Sequence, residues 1–237
     1  MLGNRIAIKR GARDEGEKPF WISFADLMTS LMVLFLIAMS VALVAVTKKT
    51  NEAERKQAQR RDELARILNQ IEQATRKFPG ITVDRNRNVV DFGDRARFDT
   101  GSSALSADQA KLMRVFVPQV LSIARTQLGT HWLKRIVVEG FTDQRGTYLY
   151  NLNLSLQRSE RVLCVLLAQP TLGEQAMSAA EREQIRKLFL VGGYSSNSAM
   201  ASLNASRRIE LRLEFFEVNE DHKPAPDATS EIGDCAI

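Results

Sequence analysis

Apolar and polar positions divide this chain into three regimes. Between residues 20 and 46, 22 of 27 positions are apolar, the exceptions being Ser23, Asp26, Thr29, Ser30 and Ser40. A helix of that length spans about 40 Å, enough to cross a hydrocarbon layer of about 30 Å with some tilt. A cleaved secretory signal would carry an apolar stretch of only about 7–15 residues followed by small residues. This run is longer, contains an acid and stops at Thr47-Lys48-Lys49, so it is expected to be a retained span. The second regime, 47–80, lacks Pro and Gly until Pro79-Gly80 ends it. Leu64, Ile67, Leu68, Ile71, Ala74, Thr75 and Phe78 follow helical spacing and form one apolar stripe. A solvated spacer helix and a self-associating, plug-like helix both fit that stripe.

From 81 onward the pattern mixes α and β. Segments 81–83 and 89–92 flank the turn-rich Asp84-Arg85-Asn86-Arg87-Asn88 and predict a hairpin. Ser106-x-x-Gln109 is a capping box that opens a helix to about 127, interrupted near Pro118. Segment 136–139 predicts a strand, 148–168 a helix, 188–191 a strand and 208–216 a strand with alternating apolar positions. The expected fold class is therefore α+β. The expected parts are an N-terminus (1–19), a single transmembrane helix (20–46), a spacer (47–80), a folded domain (81–218) and an acidic tail (219–237).

Composition narrows the chemistry. Among 237 residues there are two His and two Cys, too few for a local zinc cluster or a His-based catalytic centre. No HExxH, Walker-type loop, GxSxG or GxGxxG occurs. The expectation is a protein that is not an enzyme and carries no metal or cofactor. Its 33 basic and 28 acidic residues are dispersed, without the aromatic-interleaved basic stripe that single-stranded nucleic acid needs. Five Lys/Arg precede the span and seven follow it between Lys48 and Arg66, so charge alone leaves the orientation open.

Asp26 is the anomaly inside the span. A carboxylate at a helix centre costs about 2.5–3.5 kcal/mol on insertion scales, so such groups face other helices or a wet path. Ser23, Asp26 and Ser30 share one helical face beside Thr29, while Leu27, Leu31, Leu34, Phe35 and Met39 make the rest apolar. An acid that only hydrogen-bonds a neighbour, or snorkels to the surface, fits this face. So does one that loads and releases an ion, with Ser23, Thr29 and Ser30 lining its path.

The string FWISFADLMTSLMVLFLIAMS resembles the single span of MotB-type stator subunits, whose ion-carrying acid falls on Asp26. That resemblance implies a cytoplasmic N-terminus, a periplasmic C-terminal part and the bacterial inner membrane. It also implies a homodimer inside a ring, expected to be a pentamer, of MotA-like subunits, with the proton as the translocated ion. A second resemblance, over roughly 90–216, is to OmpA-like peptidoglycan-binding domains, an α/β sandwich. It is carried by Phe98-Asp99, by VVEGFTDQRG at 137–146, by Tyr150-Asn151, Leu154-Ser155 and Arg158-Ser159, and by Asn204 with Arg207-Arg208-Ile209-Glu210. The family's wall-binding acid falls on Asp143 and its wall-binding Arg on Arg158, with Tyr150, Asn151 and Leu154 completing the pocket pattern. Phe141 departs from the His or Tyr usual before Thr-Asp.

The ligand chemistry suits the pair. Diaminopimelate in peptidoglycan presents an ammonium for Asp143 and a carboxylate for the forked guanidinium of Arg158. The competing reading is an internal Asp143–Arg158 salt bridge that staples loop to helix. Cys164 is either a free core thiol or, in an oxidising periplasm, the partner of Cys235. As a whole the chain most resembles the MotB-like subunit of Zorya anti-phage defence systems. This implies sensing of envelope attack and signalling, through the MotA-like partner, to cytoplasmic nuclease or helicase effectors. A flagellar stator subunit and a passive membrane-to-wall tether are the alternatives.

Overall fold

A computed structural model describes residues 20–168, 176–221, 232, 233 and 235. The chain divides into two compact units, 1–55 and 56–237. One helix, α1 (Phe20–Thr75), contains both the predicted span and most of the predicted spacer. In the first unit every side chain described from Phe24 to Arg55 faces outward, including Leu27, Leu31, Leu34 and Phe35. An apolar surface this large on a single helix requires lipid or partner helices around it.

In the second unit the remaining turns of α1 are part of the fold. Ile67, Leu68 and Ile71 are buried in the core, with Leu64 and Phe78 packed against it. Arg60 donates from Nε to the Phe216 carbonyl (2.8 Å), and Trp132 Nε1 donates to Glu63. The apolar stripe therefore covers this chain's own domain, and the compact unit starts N-terminal of the expected boundary at 81.

The sheet has the order β1-β2-β5-β3-β4. Its strands are β1 (Thr82–Asp84), β2 (Val89–Asp91), β3 (Leu133–Gly140), β4 (Phe189–Gly193) and β5 (Ile209–Phe215). Neighbours pair antiparallel except β3 with β4, which run parallel and are joined through helix α4 (Tyr148–Leu167). Ile136, Val138, Ile209, Leu211 and Leu213 alternate inward and meet Met113, Phe116, Val120 and Leu121 of α2 (Ala107–Ala124) and Val162 and Leu166 of α4. The expected α+β class and the main strands are those observed.

Three local differences have physical reasons. Helix α2 runs unbroken through Pro118, which gives up only the bond to the Arg114 carbonyl while its neighbours Phe116, Val117 and Val120 stay in the core. Helix α3 (Gln127–Trp132) restarts the chain after a Thr126 cap. Helix α5 (Ala179–Leu188) buries only Ile185, so its hydrophobic signal is weak. A further short helix, α6 (Leu203–Ser206), precedes β5.

Cys164 and Cys235 form a disulfide, with Cα atoms 5.8 Å apart and a separation of 71 positions in sequence. This decides between the two readings left open above, and Cys164 is only half-buried. Closing a loop of this size is worth about 4 kcal/mol in the chain-entropy picture. Cys235→Ser is expected to lower the unfolding free energy by about 2–4 kcal/mol, read by denaturant titration with and without reductant. Equal stability under both conditions would remove that role.

Candidate functional site

β3 delivers the candidate residues to one end of the sheet. Gly140, its last residue, lies so close to α4 that an added Cβ would sit 1.9 Å from the Ser155 carbonyl oxygen. Beyond it the loop is held by its backbone: Phe141 N donates to the Arg208 carbonyl (3.0 Å) and Thr142 N to the Ser195 carbonyl (2.9 Å). Gly146, at φ +95°, takes the left-handed turn that Thr147 needs to cap α4 through the Tyr150 N–H. Gly140→Ala is expected to cost at least about 1–3 kcal/mol by overpacking, measurable as a lowered midpoint of thermal unfolding.

Between this loop, the residues after Phe98 and the first turns of α4 lies a cleft of about 220 Å³. Asp143, Tyr150, Asn151, Leu154 and Arg158 all line it, so the structure brings all five predicted wall-site residues together. Their roles differ. Tyr150 stands half-exposed at the rim, Leu154 is buried, and Asn151 donates its side-chain amide to the Arg145 carbonyl (3.0 Å), holding the loop in shape.

Arg158 is fully buried. Its Nε donates to the Ser102 carbonyl (2.9 Å), Nη1 to Phe141 (2.7 Å) and Nη2 to Asp99 (3.0 Å), with the Phe98 ring 4.9 Å away. Three of its five N–H groups are thereby used, leaving one on each terminal nitrogen. Burial, and then the nearby Arg207 cation, pull its pKa down to about 10, so it stays charged at neutral pH.

The Asp143 carboxylate is also buried, and its partners are not those expected. Oδ1 accepts from the Arg145 backbone N–H (3.0 Å), and Oδ2 accepts from Arg145 Nη2 (3.1 Å) and Arg207 Nη1 (3.0 Å). Among the described residues no ion pair joins Asp143 to Arg158, which rules out the Asp143–Arg158 staple. Burial alone would raise the Asp143 pKa, but the bonds from Arg145 and Arg207 outweigh it and hold the carboxyl below its ordinary value.

With 44% identity over 228 residues, the chain is similar to Zorya protein ZorB of Escherichia coli O139:H28 (strain E24377A / ETEC), covering 96% of this chain and 93% of that protein. The chain belongs to the ZorB family. No family model matches this ZorB-family chain. Among solved structures it is similar to the cell wall anchor of the T6SS from Pseudomonas aeruginosa (22% identity, 63% of this chain and 97% of that one, TM-score 0.41). It is also similar to the periplasmic domain of Helicobacter pylori MotB (17% identity, 62% and 86%, TM-score 0.41).

Three cleft residues of this ZorB-family chain were not anticipated. Arg145 and Arg207 satisfy Asp143, and the Thr142 hydroxyl is buried at the cleft with no hydrogen-bond partner among the described residues. Arg207 stood in the string Arg207-Arg208-Ile209-Glu210, and the short link between α6 and β5 sends these adjacent arginines to different places. Arg208 lies under Phe141 (4.1 Å), and Phe141 stacks on Tyr194 (5.4 Å). The Phe141 ring, the departure from the family pattern, thus packs on Arg208 and Tyr194, and only its carbonyl serves the cleft.

On α1, Asp26, Thr29 and Ser30 are all exposed, and the Thr29 hydroxyl donates to the Asp26 carbonyl (2.9 Å). The side chain of Ser23 lies outside the described residues.

Proposed function

We propose that this chain is the wall-anchored, ion-conducting subunit of a stator-like complex in the bacterial inner membrane, acting in anti-phage defence. Its N-terminus is cytoplasmic and its folded unit periplasmic. Two copies sit inside a pentameric ring of MotA-like subunits, and protons pass by way of Asp26. The membrane potential supplies about 2.3 kcal/mol per charge per 100 mV for this passage. No bond-making chemistry is assigned to the chain, and effectors that attack DNA are reached only through the MotA-like partner.

The observation that carries this reading is the pairing, in one chain, of an acid on an outward-facing apolar helix with a cleft built around a buried carboxylate and a buried guanidinium. In the cleft, two unused N–H groups of Arg158 bind the ligand carboxylate and Asp143 takes the ammonium. Membership of the ZorB family supports defence over motility. The test is plaque counting beside motility halos, in a host carrying the chain with its neighbouring genes. Protection by orders of magnitude with unchanged swimming is expected; rescued swimming without protection would replace the reading with a flagellar one.

A further inference from the structure

We propose that Arg145 is a displaceable cover on the cleft, which the ammonium of a diaminopimelate stem peptide must push aside to reach Asp143. The inference rests on the wall-site reading above and adds a specificity-determining residue to it.

Three guanidiniums line the cleft that holds the Asp143 carboxylate, and they differ in how firmly they are held. Arg158 is fixed by three backbone carbonyls. Arg207, with 13% of its side chain exposed, is fixed by the Phe98 carbonyl (2.8 Å) and Asn204 Oδ1 (3.0 Å) as well as by Asp143. Arg145 has 55% of its side chain in solvent, and its Nη2 alone bridges Asp143 Oδ2 and Thr100 Oγ1, both at 3.1 Å. Thr100 follows Phe98-Asp99 and Asp143 follows β3, so this one nitrogen joins both lips of the cleft. An exposed bridge of this kind is weakly held. The Arg145 backbone N–H keeps Asp143 Oδ1 in place when the side chain leaves.

The exchange is balanced in charge. One cation leaves Oδ2 and the ligand ammonium replaces it, while the surplus of two positive charges that attracts the ligand carboxylate is restored by the same step. A stem peptide whose side amine is acylated, as in a cross-link, brings no cation and leaves Arg145 where it is. Arg145 thereby narrows the difference between free-amine and acylated stems.

The test uses the full chain in detergent micelles and two probes, a diaminopimelate tripeptide muropeptide and the same compound N-acetylated at its side amine. Arg145→Ala should raise the ratio of affinities, free amine over acetylated, about three- to fivefold, and Arg145→Lys should keep the wild-type ratio. The ratio is the readout because removal of a positive charge weakens carboxylate attraction for both probes alike. A ratio unchanged or lowered by Arg145→Ala overturns the proposal. Wild-type protein that binds neither probe overturns the wall-site reading beneath it, a separate result seen before any variant is compared.

Discussion

Asp26→Asn should abolish proton flux and phage protection while leaving the protein in the membrane at its normal level. The amide matches the carboxylate in size but cannot give up or take on a proton at neutral pH. Nothing in the helix depends on the charge: Asp26 is exposed, and the one bond described at this position is from the Thr29 hydroxyl to its backbone carbonyl. Removing the charge also lowers the cost of placing this side chain in the membrane, so assembly is expected to be unimpaired. Membrane fractionation, cytoplasmic pH recorded during expression, and plaque counts separate these effects. Full protection by the Asn variant would leave only the passive tether.

Asp143→Asn should weaken retention on purified peptidoglycan about ten- to hundredfold, the size of one lost charge-assisted hydrogen bond. This variant is preferable to Arg158→Ala. Alanine at 158 would orphan the carbonyls of Asp99, Phe141 and Ser102, at about 1–3 kcal/mol each, and would unfold the site it was meant to probe. In Asp143→Asn, Arg207 keeps its bonds to the Phe98 carbonyl and Asn204, so the fold survives. Unchanged sedimentation with the wall at a normal unfolding temperature would sink the pocket assignment.

The pH dependence follows in sign from the same ion pairs. Because the Asp143 pKa is lowered in the fold, the stability its partners contribute is full above the carboxyl's unfolded value. That contribution is lost only as pH falls through the depressed folded value. Acid release of the wall is therefore expected below the ordinary carboxylate range.

Much of this was legible in the sequence, for identifiable reasons. The span announces itself because 22 apolar residues lie together, and Asp26 because a charge there is costly. Asp143 and Arg158 could be brought to one cleft because the first lies just past a strand and the second on the next helix, while Asn151 and Leu154 joined them through the resemblance to OmpA-like domains. The partner of Asp143 could not be chosen the same way. Arg207 is 64 residues away, and only the placement of β5 beside β3 brings its approach to the site. The stripe from Leu64 to Phe78 marked one apolar face of the helix, but a solvated spacer and a self-associating helix fitted it equally, and neither named this chain's own domain as the cover. Likewise two cysteines 71 residues apart carry no sign in sequence of whether they meet.

The burial of Ile67, Leu68 and Ile71 has a mechanical consequence. A pull applied along α1 at residue 56 meets the hydrophobic core within about four turns, with no slack segment to pay out first. The load is taken in shear by side chains packed along the helix, together with the Arg60 bond to the Phe216 carbonyl and the Trp132 bond to Glu63. A domain gripped in this way behaves as a stiff mount, whose yield point is set by the strength of its own core.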